Sequence, residues 1–221
     1  MSRADLVEAI RQKRAILFVG AGVSKNVGVP TTDEIVAEIA KQLGYDPEWF
    51  RSLGDHRTLA EYYRLVKGTL GPLRSWMDVT WHRADVSVRE SRIHRLIVEL
   101  DFPVVYTTNY DRWLEKAYDA YGKPYTKIAH VGDLLEVRPG VTQIIKFHGD
   151  FDDDASLVLT ESSYYERLNF ESALDLKLQS DVLSRPVLFI GYSLSDINIR
   201  YLLYKLHRLW EQSSFVALRP K

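Results

Sequence analysis

The sequence predicts an α/β fold: a Rossmann-like, mostly parallel sheet with helices on both faces and a helical insert over about residues 47–100. Short, wholly apolar segments such as ILFV and VLFI alternate with amphipathic helical patterns. This alternation is typical of parallel strands that are buried on both faces. Each apolar segment also runs directly into glycine or polar residues, as expected where the strands of a parallel sheet end at a ligand crevice.

The first half of the chain predicts one strand surrounded by helices. A helix over about 4–14 leads into a strand at 15–19, which the glycine turn at 20–22 ends. Thr31 and Glu34 have the spacing of a capping box, so a further helix is expected to begin there. Beyond residue 47 the pattern is helical, without an alternating strand, at 59–67, 73–82 and 93–100.

The α/β alternation returns in the second half of the chain. Strands are predicted at 104–107, 142–147, 157–160 and 187–190. Helices are predicted at 111–121, 164–168, 171–183 and 197–210. We therefore predict a single domain over residues 1–221, with the helical subdomain at about 47–100 lying over the crevice.

Composition excludes several classes of protein. The net charge of −1 offers no large attraction to nucleic acid or to an anionic membrane. The absence of cysteine excludes disulfides and cysteine-based zinc sites. No apolar run is long enough for a membrane span, and the first residues lack the core of a signal peptide. The sequence predicts a soluble, cytoplasmic protein that binds neither nucleic acid nor membrane.

The segment GAGVS, residues 20–24, follows the first predicted strand. Gly20 and Gly22 permit close approach of the backbone to a phosphate, to which the Ser24 hydroxyl can donate a hydrogen bond. Lys25 stands where a dinucleotide fingerprint has its third glycine, and the Gly-Lys-Ser/Thr of a P-loop does not occur. From these residues alone, a phosphate-binding turn and an ordinary strand-to-helix turn remain equally open.

The segment TTNYD, residues 107–111, follows the second apolar strand. Asn109 and Asp111 both belong to the residue types that cap helices, and that role would explain them without a ligand. In the alternative interpretation, the amide of Asn109 orients a water or a ribose hydroxyl. Asp111 would then hold a carboxamide or a developing positive charge.

The segment FHGD, residues 147–150, contains the candidate for acid–base chemistry. His148 ends an apolar strand and precedes a glycine, so its ring can enter a crevice. The other histidines show no metal-ligand spacing and are assigned no chemistry: His56, His82, His94, His130 and His207. No metal site is predicted, and the aspartates at 152–154 are expected in a solvated loop.

The segment GYSLSD, residues 191–196, partly resembles a nucleophile elbow, but Ser195 replaces its last glycine. The one aspartate and the one histidine that follow Ser193 are Asp196 and His207, and both belong to the next predicted helix or its start. A serine hydrolase is therefore disfavoured. A ribose- or phosphate-binding turn around Gly191 fits better, with Asp196 as the N-cap of the following helix.

In their order and strand context, GAGVS, TNYD, HG and GYS resemble the motifs of the SIR2-like, or sirtuin-fold, family. The resemblance implies a Rossmann-like domain that binds NAD+ as its substrate and cleaves the nicotinamide–ribose bond without a metal. It implies that Asn109 positions a water, that His148 contacts the ribose hydroxyls and that Asp111 contacts the nicotinamide carboxamide. The other NAD+-binding positions that it implies are Gly20, Ala21, Gly22, Ser24, Thr108, Gly191 and Ser193.

The chain departs from sirtuin deacylases in ways that indicate a different branch. It lacks their four-cysteine zinc module, has Thr108 in place of a glutamine, and has TTD at 31–33 in place of Asp-Phe-Arg. Little room remains between HG and GYS for an acyl-lysine groove. The chain is more similar to bacterial SIR2-like domains of anti-phage defence, which hydrolyse NAD+ once a partner subunit, fused sensor or assembly event activates them.

The resemblance therefore predicts an NAD+ glycohydrolase that depletes NAD+ and releases nicotinamide with ADP-ribose or a cyclised product. It implies a homo-oligomer or a regulatory partner, and the helical insert is expected to act as a lid. Three alternatives remain open at this point. They are a deacylase or ADP-ribosyltransferase on the same scaffold, a non-catalytic sensor of NAD+ or ADP-ribose, and an assembly module whose exposed aromatic residues form an interface.

Overall fold

The computed structural model describes residues 2–169, 172–193 and 196–212, and its centre is one parallel sheet. The strands are β1 (Ile16–Val19), β2 (Val104–Thr107), β3 (Tyr125–Ile128), β4 (Thr142–Lys146) and β5 (Val187–Ile190). They lie in the order β3-β4-β2-β1-β5, and each neighbouring pair is parallel. The Rossmann-like α/β fold predicted from the sequence is confirmed.

Helices account for most of the remaining described chain. The first six are α1 (Arg3–Arg11), α2 (Ala21–Ser24), α3 (Thr32–Leu43), α4 (Pro47–Arg51), α5 (His56–Lys67) and α6 (Gly71–Trp81). The others are α7 (Arg92–Leu100), α8 (Trp113–Ala120), α9 (Glu161–Glu166), α10 (Ala173–Ser184) and α11 (Ile197–Gln212). Short 3-10 turns lie between several of them. The predicted helix at 171–183 begins at Glu171, which lies outside the described residues. The apolar segment FVAL, residues 215–218, is also expected to form a strand and lies outside them as well.

Both faces of the sheet are covered, as the continuous apolar strands predict. Leu17 of β1 and Val105 of β2 face one core, which α1, α7 and α8 complete. Phe18 and Tyr106, their neighbours along the same strands, face a second core, which α10 and α11 complete. Successive side chains of these short strands therefore point to opposite faces of the sheet and contribute to both cores.

A third core lies away from the sheet, in what we call the helical cluster: α3, α4, α5, α6 and the segment 151–159. Its centre is formed by buried residues such as Ile39, Phe50, Tyr63 and Met77. The predicted insert at 47–100 is helical in the structure, but it divides between two cores. Helix α7 packs on the sheet, whereas α3 and the segment 151–159 join the helical cluster.

Two details of the predicted secondary structure differ from the structure. The strand expected at 157–160 is wrong: this segment is extended, but it packs Leu157 and Leu159 into the helical cluster and pairs with no strand of the described sheet. The strand β3 is also not predicted from the sequence. Its residues YTKI are only partly buried at the sheet edge, so they lack the continuous apolar pattern of the central strands.

Candidate functional site

Four strands end at one level, and this register places the predicted motifs side by side. Val19 of β1 is paired with Thr107 of β2 and with Ile190 of β5, and Thr107 is paired with Lys146 of β4. The residues that follow these positions are the starts of GAGVS, TNYD, FHGD and GYS. The carboxyl edge of the sheet therefore gathers all four motifs, where parallel α/β sheets bind ligands.

The glycines of GAGVS are explained first by contact with the neighbouring GYS turn. The Gly22 N–H donates to the Gly191 carbonyl at 2.8 Å, and the Gly20 N–H donates to Ile190 at 2.9 Å. A Cβ on Gly20 would lie 2.5 Å from the Gly191 oxygen, and one on Gly22 would lie 2.8 Å from it. Gly191 itself has a φ of 59°, in the left-handed region. These glycines allow the GAGVS and GYS turns to pack closely against each other, and the Gly22 N–H is already hydrogen-bonded to the Gly191 carbonyl.

Asn109 and Ser24 join the second motif to the first. The Asn109 Nδ2 donates to the Ser24 Oγ at 3.0 Å, and both side chains are buried. The Asn109 backbone N–H donates to the Thr107 Oγ1 at 3.0 Å, and that hydroxyl donates to the Val19 carbonyl at 2.9 Å. One hydrogen bond therefore holds the side chain of Asn109, the predicted water-orienting residue, and another holds its backbone.

His148 lies almost completely buried where β4 ends, with an exposed fraction of 1%. Its backbone carbonyl accepts a hydrogen bond from the Val158 N–H at 3.0 Å, and its ring meets the Tyr164 ring edge to face at 5.3 Å. Burial lowers the pKa of His148 to about 4, against the opposing effect of the negative charge on Asp196. His148 is therefore neutral at pH 7, the form that a general base requires.

The turn after His148 depends on Gly149. Its φ is 78°, and a Cβ there would lie 2.2 Å from the Ser156 carbonyl oxygen. The following carboxylate, Asp150, is buried and lies 2.8 Å from the Lys127 Nζ. Backbone conformation and an ion pair together therefore fix the direction in which the chain leaves His148.

Asp196 caps α11, as the sequence predicts, and also reaches His148. Its Oδ1 accepts from the Asn198 and Ile199 N–H groups at 2.9 and 3.1 Å. Its Oδ2 lies 3.5 Å from the His148 Nε2. The sequence gives no sign of this second contact, because it joins two segments that are distant in the chain.

The start of α5 and the helix α9 pack near His148. The Arg57 guanidinium lies over the Tyr164 ring, 5.4 Å from its centroid. Burial lowers the pKa of His56, while the charges of Asp55 and Asp196 oppose that effect. The Tyr110 hydroxyl donates to the Val158 carbonyl at 2.7 Å, and burial raises its pKa. His56, to which the sequence assigned no chemistry, therefore lies near the candidate site.

In the described contacts, the Asp111 side chain lies at the start of α8. Its Oδ1 accepts from the Trp113 N–H at 3.1 Å, so it stabilises the start of α8. Its carboxylate also raises the pKa of His94, which burial lowers to a greater extent. The described contacts join Asp111 to neither Asn109 nor His148. The helix-start role that the sequence left open is present.

The buried side chain of Lys146 contacts the TNYD turn. The Lys146 Nζ donates to the Asp111 carbonyl and lies 3.3 Å from the Glu115 Oε1, with both side chains buried. Lys146 stands within the apolar strand TQIIK, and this lone charge among buried residues is the signal that could have identified it. It ties the end of β4 to the TNYD turn.

The remaining predicted residues line the same edge. Thr108 is half-buried, and its side chain lies beside the Tyr192 hydroxyl, whose pKa burial raises. Ala21 and Ser193 are exposed, at the start of α2 and in the turn after β5. Every predicted site residue thus lies at the carboxyl edge, but only Asn109 and Ser24 contact each other through their side chains in the hydrogen bonds described.

The described residues hold no group of three or more histidine, cysteine, aspartate or glutamate side chains that could ligate a metal. Within the described part of the chain we also find no helix with the length and apolar character that a membrane span requires.

The sheet and the order of its motifs define a sirtuin-type, Rossmann-like α/β domain. Residues 103–220 match the family model described as SIR2-like domain, and this chain belongs to that family. It is 32% identical over 200 residues to the protein named NAD(+) hydrolase ThsA of Enterococcus faecium, covering 89% of this chain and 40% of that protein.

Two further relatives have similar or related names. The NAD(+) hydrolase ThsA of Cytobacillus dafuensis is 29% identical over 210 residues, which cover 94% of this chain and 41% of the relative. Defense-associated sirtuin 2 of Bacillus subtilis is 26% identical over 219 residues, which cover 95% of this chain and 21% of the relative. The chain thus spans less than half the length of these curated relatives.

Proposed function

We propose that this chain is an NAD+ hydrolase domain that cleaves the nicotinamide–ribose bond at the carboxyl edge of its sheet. The observation that carries the proposal is the shared register of β1, β2, β4 and β5, which brings Asn109, Ser24 and His148 to one edge. Relatives that align with nearly the whole chain bear the name NAD(+) hydrolase, which supports the same reaction.

The reaction needs one water and releases one proton. The C1′–N bond breaks with its electron pair, which neutralises the cationic nicotinamide ring as it leaves. The ribose then carries oxocarbenium character, and the oxygen of water forms the new bond to C1′. The products are nicotinamide, ADP-ribose and a proton. The site must therefore hold a water, orient the ribose and tolerate positive charge.

Asn109 is the residue that we assign to the water. Its Nδ2 donates to Ser24, which turns the amide oxygen into the acceptor for the water. His148, neutral at pH 7, accepts from a ribose hydroxyl. Asp111 remains our candidate for the nicotinamide carboxamide, through a rearrangement of the α8 start. Gly20, Ala21, Gly22, Ser24, Thr108, Gly191 and Ser193 would surround the diphosphate and adenosine ribose.

Substrate access requires movement, because Asn109 is only 9% exposed and His148 only 1%. The start of α5 is the part of the helical cluster that closes over His148 through Arg57 and Tyr164. We propose that this start of α5 acts as the lid. Saturating NAD+ should change hydrogen exchange or proteolysis at residues 55–67, and an unchanged pattern would contradict the lid.

The test of the activity compares four proteins: wild type, Asn109→Ala, His148→Ala and the control His130→Ala. NAD+ consumption is followed at several protein concentrations without peptide, and nicotinamide and ADP-ribose are quantified. We expect turnover in the wild type and in the control, whose ring is half exposed at the surface, and loss of at least 100-fold in the other two.

Equal turnover in all four proteins would contradict the site assignment. Nicotinamide release only in the presence of an acylated peptide would favour a deacylase, and tight NAD+ binding without turnover would favour a sensor. A role in defence, self-association or a regulatory partner, and a cytoplasmic location stay predictions of the sequence. The name of the Bacillus subtilis relative supports the role in defence.

A further inference from the structure

The two carboxylate oxygens of Asp196 contact different parts of the molecule: one contacts the first turn of α11, and the other lies near the His148 ring. We infer that Asp196 is a positioning residue for His148, holding the imidazole in the tautomer with hydrogen on Nε2 so that Nδ1 accepts from the ribose. The catalytic consequence rests on the proposed function, but the contact itself does not. From the sequence, Asp196 is expected as the N-cap of α11, and no contact with His148 is predicted.

The geometry assigns one task to each oxygen. Oδ1 accepts from the Asn198 and Ile199 N–H groups, which fixes the carboxylate on the first turn of α11. Oδ2 points to the other side and lies 3.5 Å from the His148 Nε2. The structure records no hydrogen bond at the His148 Nε2 among the described residues, so this contact is an ion-pair distance of the kind that tightens when substrate is bound.

The other groups around His148 are engaged elsewhere. Arg167 lies 2.9 Å from the Asp175 Oδ1 and stacks over the Phe147 ring at 4.3 Å. Tyr164 presents its ring to the imidazole, and the charges that act on the pKa of His148 are those of Asp196, Arg167 and Asp175. Among them, Asp196 is the group that the structure records within ion-pair distance of Nε2.

The tautomer follows from the chemistry of the two partners. A neutral imidazole carries one N–H and one acceptor nitrogen, and a carboxylate can only accept. Asp196 therefore stabilises the hydrogen on Nε2 and leaves the lone pair on Nδ1. The same relation between a carboxylate and an imidazole fixes the catalytic tautomer in hydrolase triads.

Capping alone does not require aspartate, because serine and asparagine cap helices as well. This allows a test that separates the two tasks. Asp196→Ser keeps a capping oxygen but removes the group that faces Nε2. Asp196→Asn keeps the size of the side chain and can present an amide N–H to Nε2, which favours hydrogen on Nδ1. The matched controls are Asp46→Ser and Asp46→Asn, since Asp46 caps α4 through the Trp49 N–H.

The first measurement is the nitrogen NMR spectrum of histidine-labelled protein near pH 7, with His148 assigned by His148→Gln. We expect the Nε2–H tautomer in the wild type and in both Asp46 variants. We expect a mixture in Asp196→Ser and mainly the Nδ1–H tautomer in Asp196→Asn. A wild-type Nδ1–H tautomer, or the same tautomer in both Asp196 variants as in the wild type, would overturn the inference.

The second measurement is the steady-state kinetics of NAD+ consumption. Both Asp196 variants should lower kcat by about tenfold or more, with the KM for NAD+ within about twofold of the wild type. Added to His148→Ala, they should cause no further loss. An equal loss in the His148→Ala background would overturn a role through His148. If the wild type does not turn over NAD+, the proposed function fails, and the NMR result still decides the position of the ring.

Discussion

At the scale of single residues, the burial of His148 makes stability depend on pH. Its pKa is about 4 in the folded protein and near 6.5 when unfolded. Between these values the unfolded chain binds more protons, so the free energy of unfolding falls as pH decreases from 6.5 towards 4. Over this whole pH range, the shift in the pKa of His148 lowers the free energy of unfolding by about 3 kcal/mol.

His148→Gln should remove this component and flatten the pH profile measured by urea unfolding. Burial lowers the pKa of His56 and of His94 as well, so both proteins keep the part of the profile that these residues cause. Parallel profiles for the wild type and His148→Gln would show that His148 titrates normally in the folded state.

Ser24 is the second residue whose effect can be isolated. Ser24→Ala removes the acceptor of the Asn109 Nδ2 while Asn109 itself remains. We expect kcat for NAD+ hydrolysis to fall about three- to tenfold, the equivalent of one neutral hydrogen bond. Ser184→Ala, which removes a hydroxyl that donates to Ser180 within α10, should leave kcat unchanged. Equal kinetics in the two variants would mean that Ser24 does not orient Asn109.

At the scale of elements, Gly149 allows a test of how the HGD turn is built. Gly149→Ala introduces both left-handed strain and a clash with Ser156, whereas Gly140→Ala introduces only the strain, since Gly140 has a φ of 77° and open space around it. We expect a loss of about 1–2 kcal/mol for Gly140→Ala and at least about 2 kcal/mol more for Gly149→Ala. Equal losses in chemical denaturation would exclude the close approach of 156 to 149.

The sequence predicts the elements that have strong local patterns. The spans of β2 and β5 are predicted to the residue, and the capping box of Thr31 and Glu34 forms as expected. The edge strand β3 is missed, and the segment 157–160 is wrongly predicted as a strand, because their structure depends on neighbours. In the described sheet β3 pairs with β4, and Leu157 and Leu159 pack into the helical cluster.

The sequence likewise predicts where the candidate site lies but not the contacts within it. Polar residues after apolar strands indicate the crevice, since parallel strands share one carboxyl edge. The contacts that define the site join separate segments: Asn109 with Ser24, His148 with Asp196, and Lys146 with the Asp111 carbonyl. A single sequence shows each residue type but not these pairings.

At the scale of the whole molecule, Arg112 connects the helical cluster to the sheet. Its guanidinium contacts both oxygens of Asp78 on α6, at 2.6 and 3.3 Å, and lies 2.9 Å from the Asp152 Oδ1. Its backbone N–H donates to the His82 Nε2 at 2.8 Å, and the His82 Nδ1 lies 2.7 Å from Asp78. This network spans α6, the start of α8 and the loop after β4.

Arg112→Met should therefore loosen α6. We expect faster hydrogen exchange across residues 71–81 and a loss of about 1–3 kcal/mol in the free energy of unfolding, as a hydrogen-bonded charge is removed. Arg83→Met is the control: Arg83 forms an exposed ion pair with the nearby Asp85, and its loss should change stability by about 0.5 kcal/mol or less. Unchanged exchange of α6 in Arg112→Met would show that the network does not hold the cluster.

NAD+ turnover in water labelled with heavy oxygen, followed by mass spectrometry of the products, tests whether NAD+ is hydrolysed at this crevice. We predict equal amounts of nicotinamide and ADP-ribose, with one heavy oxygen at C1′ of the ribose and none in nicotinamide, and no such product from Asn109→Ala. Label elsewhere, labelled product from Asn109→Ala at the wild-type rate, or consumption of NAD+ without release of nicotinamide would contradict hydrolysis at this crevice.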